Sequence, residues 1–222
     1  MRQRAVHRVD KQARHDAILD AAARLLLRAP DRTANMAEVA QEAGLAKGTV
    51  YLYFPSKEEL LLALHERDLD GFFAALITRL EGATAVTIED VFALTRTHIV
   101  APPLFLPLAS RCLGLMDQSV SAPAARAFRQ RMAEWLERAG AGLERHFAVL
   151  ASGDGVVLLR HSYALVIGLW QIASTTSGRA DEHADPADAP VVAGHYPEEF
   201  ERAMAALWQG TLAGATRRDR SP

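Results

Sequence analysis

An all-α fold is what this 222-residue sequence predicts, a three-helix head with a helix-turn-helix followed by a larger helical body. Three observations predict it. Apolar residues recur at three- and four-residue spacing along most of the chain, and no alternating strand pattern competes. Capping signals at Asn35/Glu38, Ser56/Glu59 and Thr87/Asp90 open helices where that periodicity begins. Gly44 and Pro55 punctuate residues 33–60 into three short helical pieces, the layout of a helix-turn-helix.

The elements follow in order. An amphipathic helix covers Arg14–Leu27. The next starts after Asn35 and buries one face through Met36, Val39, Ala40 and Ala43. Gly44 can take the left-handed conformation that ends a helix, and Leu45 closes the turn over the core. A second short helix runs from about Ala46 to Tyr53. Pro55 stops it, having no amide donor and disfavouring helix in the residue before it. A long helix opens at about Lys57 and continues to about Leu80, with Gly71 as the point where it can bend. It leaves the head and enters the body, so it is the lever between them. Domain boundaries are expected at 1–57 for an N-terminal arm plus head, and at 58–222 for the body.

In the body, a helix capped by Thr87 and Asp90 runs to about Val100 and is stopped by Pro102 and Pro103. Helices over Leu104–Gln118 and from Ser121 to about Val149 follow. After the Gly153–Gly155 turn comes a strongly apolar helix, Val156–Thr176. Residues 178–196 are rich in Ala, Asp, Pro and Gly and too long for an ordinary connection, so a mobile loop is expected. A last helix starts at Pro197, a favoured first-turn residue, and runs to about Thr216.

The second short helix carries the informative chemistry. Lys47 suits a phosphate or a guanine edge. Gly48 lets a sugar-phosphate backbone approach. Thr49 can reach a base edge or a thymine methyl, and tyrosine hydroxyls commonly bond phosphates. Val50 and Phe54 read as core. Tyr51 and Tyr53 fit either core or phosphate contact on these grounds alone.

The first helix, then NMAEVAQEAGLAKGTVYLYF, then PSKEELL, closely resembles the DNA-binding domain of the TetR family of transcriptional regulators. The resemblance covers roughly residues 12–64, and its A-G-x-x-K-G-T-x-Y-x-x-F-x-S-K-E-x-L pattern is long and specific. It implies a double-stranded, roughly palindromic operator as partner, contacted by Arg14, Lys47, Gly48, Thr49, Tyr51, Tyr53 and Lys57. It also implies a larger domain that dimerises and holds a small-molecule effector, most often in a repressor. Ala46 departs from the family, which often has a serine cap there. An alanine cap costs on the order of 1 kcal/mol, enough to fray this helix until DNA is bound.

Charge agrees with the reading. Residues 1–57 hold ten Lys/Arg against six Asp/Glu, while residues 58–222 hold fifteen against twenty-one. A basic head on an acidic body orients the molecule towards phosphates. Arg2, Arg4, Arg8, Lys11 and Arg14 suggest an N-terminal arm, disordered when free and able to lie along a groove; Arg14 is the best placed of them.

Small residues mark a dimer interface. Ala206, Gly210 and Gly214 fall four apart on the last helix, and Ala164 and Gly168 do so on the apolar one. Bare ridges let helix axes approach, and the TetR resemblance implies a four-helix homodimer contact there. For an apolar effector the candidates are Phe105, Arg111, Met116, Trp135, His161, Tyr163, Trp170 and Gln171, since pockets combine aromatics with isolated polar groups. Ordinary helical cores have the same composition.

Several classes are excluded. The N-terminus lacks the apolar core of a signal peptide, and no stretch reaches about 18 uncharged apolar residues, so no membrane role is expected. Cys112 is alone, which points to a reducing cytoplasm. No nucleophile–base pair, metal-ligand spacing or phosphate-binding glycine loop is present, so neither an enzyme, a metal site nor a cofactor is expected. Two classes remain, an effector-responsive transcriptional regulator and an effector-independent DNA-binding or architectural protein.

Overall fold

The computed structural model describes residues 2–29, 32, 34–115, 119–177 and 196–218. The described residues are helical with no strand. Their helices are α1 (Arg2–Arg28), α2 (Met36–Glu42), α3 (Lys47–Tyr53), α4 (Lys57–Glu81), α5 (Ile88–Thr95), α6 (Phe105–Leu115), α7 (Ala122–His146), α8 (Asp154–Ser177) and α9 (Tyr196–Arg218). A π-helical turn, Arg96–Val100, extends α5. The expected loop at 178–196 lies, apart from Tyr196, outside the described residues.

One expectation needs correcting. The basic N-terminal segment is not an arm separate from the first helix: α1 begins at Arg2 rather than Arg14. No glycine or proline interrupts residues 2–28, so nothing in the chain stops the helix from extending through the arginines.

The chain forms two compact units. The first comprises Met1–Asp70 with Pro102–Phe128. Its core is built by Ile18, Leu19, Ala22 and Leu26 of α1, Met36, Val39 and Ala40 of α2, Val50 and Phe54, and Leu60, Leu61 and Leu64 of α4. Phe105 of α6 is fully buried here, with its ring edge-on to buried His65 at 5.2 Å. The Cys112 thiol faces the Leu61 carbonyl, and burial pushes it up to about 12, so it stays protonated and inert.

The second unit comprises Gly71–Ala101 with Arg129–Pro222. Two glycines set how closely α7 and α8 cross. A Cβ on Gly155 would stand 2.3 Å from the Gly140 carbonyl oxygen, a separation no side chain tolerates. The α8–α9 pair is pinned by Trp208, whose indole N–H donates to Ser162 Oγ at 2.9 Å while that hydroxyl donates to the Leu158 carbonyl at 2.8 Å. The Tyr196 hydroxyl donates to the Val166 carbonyl at 3.2 Å. Helix α4 runs unbroken through Gly71 and contributes residues to both units.

Candidate nucleic-acid interface

The helix-turn-helix is assembled from local bonds the sequence encodes. Asn35 Oδ1 accepts from the amides of Ala37 and Glu38 at 2.9 and 3.0 Å, and Glu38 Oε2 accepts from the Asn35 amide at 2.9 Å, a complete capping box. Gly44 adopts φ +68°, the Leu45 amide donates to the Ala40 carbonyl and the Gly44 amide to the Gln41 carbonyl. That pairing is a Schellman ending, which reverses the chain within two residues and launches α3. Phe54 is extended, as the residue before Pro55 must be, and Ser56 Oγ caps α4 through the Glu59 amide at 3.1 Å. Ala46 caps α3 with no side-chain hydrogen bond.

Across the first unit, Glu42 of α2 is gripped by two arginines of α1. Arg24 Nε and Arg28 Nη1 donate to it at 2.8 Å, and Arg28 Nη2 donates at 2.9 Å. The Arg28 hydrogen bonds, then those of Arg24, pull the Glu42 carboxyl down to about 2. The clamp fixes α2 against α1. It joins residues 14 and 18 apart in sequence, which is why local reading missed it. A further tie runs from Arg67 to Asp20 at 2.6 Å.

Helix α3 has one buried row and two outward rows. Val50 and Phe54, four apart, anchor it at 0% and 4% exposure. Lys47 and Tyr51 form one exposed row, with the lysine Nζ 5.8 Å from the tyrosine ring centroid, a cation–π contact. Gly48 and Leu52 form the second. A Cβ on Gly48 would meet nothing within 4 Å, and Leu52 is 85% exposed. Thr49 and Tyr53 are half-buried at the flank. Lys57 is exposed at the start of α4 and lies 3.7 Å from Glu58; Arg14 is exposed on α1. The sequence reading passed over Leu52. Its signal was available, because a residue two positions from each of two core residues on a helix lies on the opposite side.

A hollow of about 10 Å³ in this unit, lined by Ala22, Leu26, Ala34, Val39, Lys57, Leu60 and Leu61, has room for about one water and not for an effector.

Residues 18–64 match bacterial regulatory proteins of the tetR family, and residues 66–215 match the tetracyclin repressor-like C-terminal domain. The chain belongs to the TetR family. It is a DNA-binding transcriptional regulator. Over 62 residues it is 32% identical to the fatty acid metabolism regulator protein of Bacillus subtilis (strain 168), a match that spans 28% of this chain and 32% of that protein. SmeT, the repressor of the Stenotrophomonas maltophilia multidrug efflux pump SmeDEF, shares the fold at TM-score 0.51 and 21% identity, covering 90% of this chain and 89% of that one. The TetR-family regulator PfmR of Thermus thermophilus does so at TM-score 0.52 and 21% identity, covering 86% and 96%. A TetR-family regulator of Mesorhizobium loti follows at TM-score 0.53 and 20% identity, covering 91% and 96%.

The residues expected to line an effector pocket in this TetR-family chain are divided between the units. Phe105 and Arg111 belong to the first, where Phe105 is fully buried and Arg111 half-buried. Trp135, His161, Tyr163, Trp170 and Gln171 belong to the second. There Trp135 stacks on Phe73 at 5.4 Å, Tyr163 and Trp170 are half-buried, and His161 and Gln171 are exposed. Met116 lies outside the described residues. Of the small residues, Ala164, Ala206, Gly210 and Gly214 are exposed and Gly168 is half-buried; a Cβ on any of the three glycines would meet nothing within 4 Å.

Proposed function

We propose that this chain is a homodimeric repressor that leaves a roughly palindromic operator when a small, mainly apolar effector binds residues 58–222. The observation that carries the DNA side is the outward surface of α3. It presents Lys47, Gly48, Tyr51 and Leu52 together while Val50 and Phe54 hold the helix to its core. Lys47, Thr49 and Tyr51 supply the central contacts in this reading. Arg14, Tyr53 and Lys57 bind phosphates and set the register. The test is binding of operator DNA, selected from a random pool, at fixed salt. Lys47→Ala and Tyr51→Ala should each weaken binding without loss of helicity, and wild-type affinity in both would refute the assignment.

Dimerisation is supported by what the single chain leaves uncovered. Helix α8 is long and apolar enough to cross a membrane by composition, yet only 28% of that stretch is buried. Val157 and Ile172 are 42% and 50% exposed on the helix that carries Ala164 and Gly168. A second copy packing α8 and α9 against their equivalents covers this surface and places two heads for half-sites about 34–36 Å apart. Gly210→Leu with Gly214→Leu should give monomers by light scattering; an unchanged dimer would sink the interface.

Release by effector is supported by α4, which joins the head to the body in one helix. Coupling of about 1–3 kcal/mol between sites is reciprocal, so operator must weaken effector as effector weakens operator. Calorimetric titration of effector into free and operator-bound protein reads this directly. Equal affinities would leave the effector-independent DNA-binding protein as the better reading.

A further inference from the structure

We propose that Leu52 is a specificity-determining residue that packs on the C5-methyl of a thymine in the operator's major groove. The inference rests on the DNA-binding reading of α3 and adds a base to it. Leu52 is 85% exposed, double the exposure of Tyr51 beside it, while in the same unit Leu27 is 50% exposed and Leu19, Leu60 and Leu64 are almost fully buried. A leucine so placed contributes little to the head's core, and it neither donates nor accepts a hydrogen bond.

What covers it follows from its neighbours. One turn earlier is Gly48, whose missing side chain leaves open space on the same row, so the helix surface can approach a groove floor there. On the adjacent row stand Lys47 and Tyr51, in cation–π contact, with Lys57 exposed at the start of α4. Cationic flanks suit a polyanion and disfavour an apolar protein face. The major-groove edges of the bases are polar at nearly every position, and thymine's methyl is the apolar group they offer. Leucine is the right complement to that group and a poor one to a guanine or adenine edge, where its bulk would leave acceptors unpaired.

The experiment uses the full-length protein and its selected operator at one salt concentration. Each symmetry-related pair of thymines is replaced by deoxyuridine, which removes the methyl and leaves every hydrogen-bonding group in place. One pair should weaken wild-type binding roughly ten- to fifteenfold, about fourfold for each of the two buried methyls, one per half-site. Leu52→Ala should bind thymine and deoxyuridine at that pair equally, with wild-type helicity because the side chain is exposed. Leu52→Gln, put through a fresh selection, should change the preferred base at that position alone. Indifference of the wild type to every deoxyuridine overturns the inference, as does undiminished methyl sensitivity in Leu52→Ala. A loss of mass in Leu52→Ala by light scattering without DNA overturns it too, by assigning the leucine to a contact between copies. Failure to enrich any sequence in the selection refutes instead the DNA-binding reading beneath it.

Discussion

Replacing His65 by leucine should abolish a specific part of the protein's sensitivity to acid. His65 lies on α4 at 1% exposure, edge-on to Phe105 at 5.2 Å and stacked near Phe128 at 6.3 Å. Burial drives its pKa from 6.5 down to about 4. The folded state therefore binds this proton less readily than the unfolded chain. The stabilisation is complete above pH 6.5 and drains away as pH falls towards 4. Linkage across that window gives a loss of about 1 kcal/mol at pH 5.5 and about 2–3 kcal/mol at pH 4.5. Asp68, three residues on, works the other way. Burial raises its carboxyl from 3.8 to about 6, with Arg67 opposing, so falling pH relieves a buried charge and returns part of the stability. The comparison between wild type and His65→Leu isolates the histidine, because Asp68 is common to both. Urea titrations at pH 7.5, 5.5 and 4.5 should show the wild type losing more stability than the variant by these amounts. Parallel losses in the two proteins would refute the reasoning and show that His65 is solvated or paired in its charged form.

Two further predictions follow from the backbone. Gly155→Ala places a methyl 2.3 Å from the Gly140 carbonyl, so α7 and α8 must part. A cost of about 3 kcal/mol, or roughly 6–12 °C in Tm, is expected by calorimetry; an unchanged Tm would mean that the crossing is looser than described. Ala46→Ser supplies the missing side-chain cap of α3, where the backbone already has an N-cap conformation; the hydroxyl would share the Thr49 amide, which donates to the Ala46 carbonyl at 2.9 Å. The gain should be about 1 kcal/mol, read as slower amide exchange in α3 and tighter operator binding. Unchanged exchange would show that α3 does not fray.

The parts legible in the sequence are those encoded over four residues or fewer. The Asn35–Glu38 and Thr87–Asp90 boxes were readable because donor and acceptor lie on one turn, and both form as the spacing requires. Gly44 was readable because glycine takes the left-handed conformation that other residues avoid, and Pro55 because its ring fixes φ and removes the amide donor. Long-range features were not. The hold of Arg24 and Arg28 on Glu42 depends on how α1 crosses α2, which no local pattern states. Leu52, by contrast, was legible once Val50 and Phe54 are read as core, since a residue two positions from each of them lies on the opposite side of the helix. The effector candidates were the least legible. Trp135 on Phe73 and Phe105 on His65 show how the composition of a pocket is also that of an ordinary packed core.

The head separates the residues that hold it from those that read. Its geometry is fixed by the Asn35–Glu38 box, the Gly44 turn, the Glu42 clamp and the buried pair Val50 and Phe54. None of these lies on the outward rows of α3. Lys47, Gly48, Tyr51 and Leu52 can therefore change with small effect on folding, since exposed positions away from caps and cores usually shift stability by less than about 0.5 kcal/mol. The clamp has a second consequence. It spends Arg24 and Arg28 on Glu42, so these two α1 charges are committed to structure, and the proposed phosphate contacts fall to Arg14, Tyr53 and Lys57. Specificity on this scaffold is then a matter of a few exposed side chains on a helix whose position is set by others. A leucine among them shifts recognition from hydrogen bonding towards the shape and methyl groups of the groove.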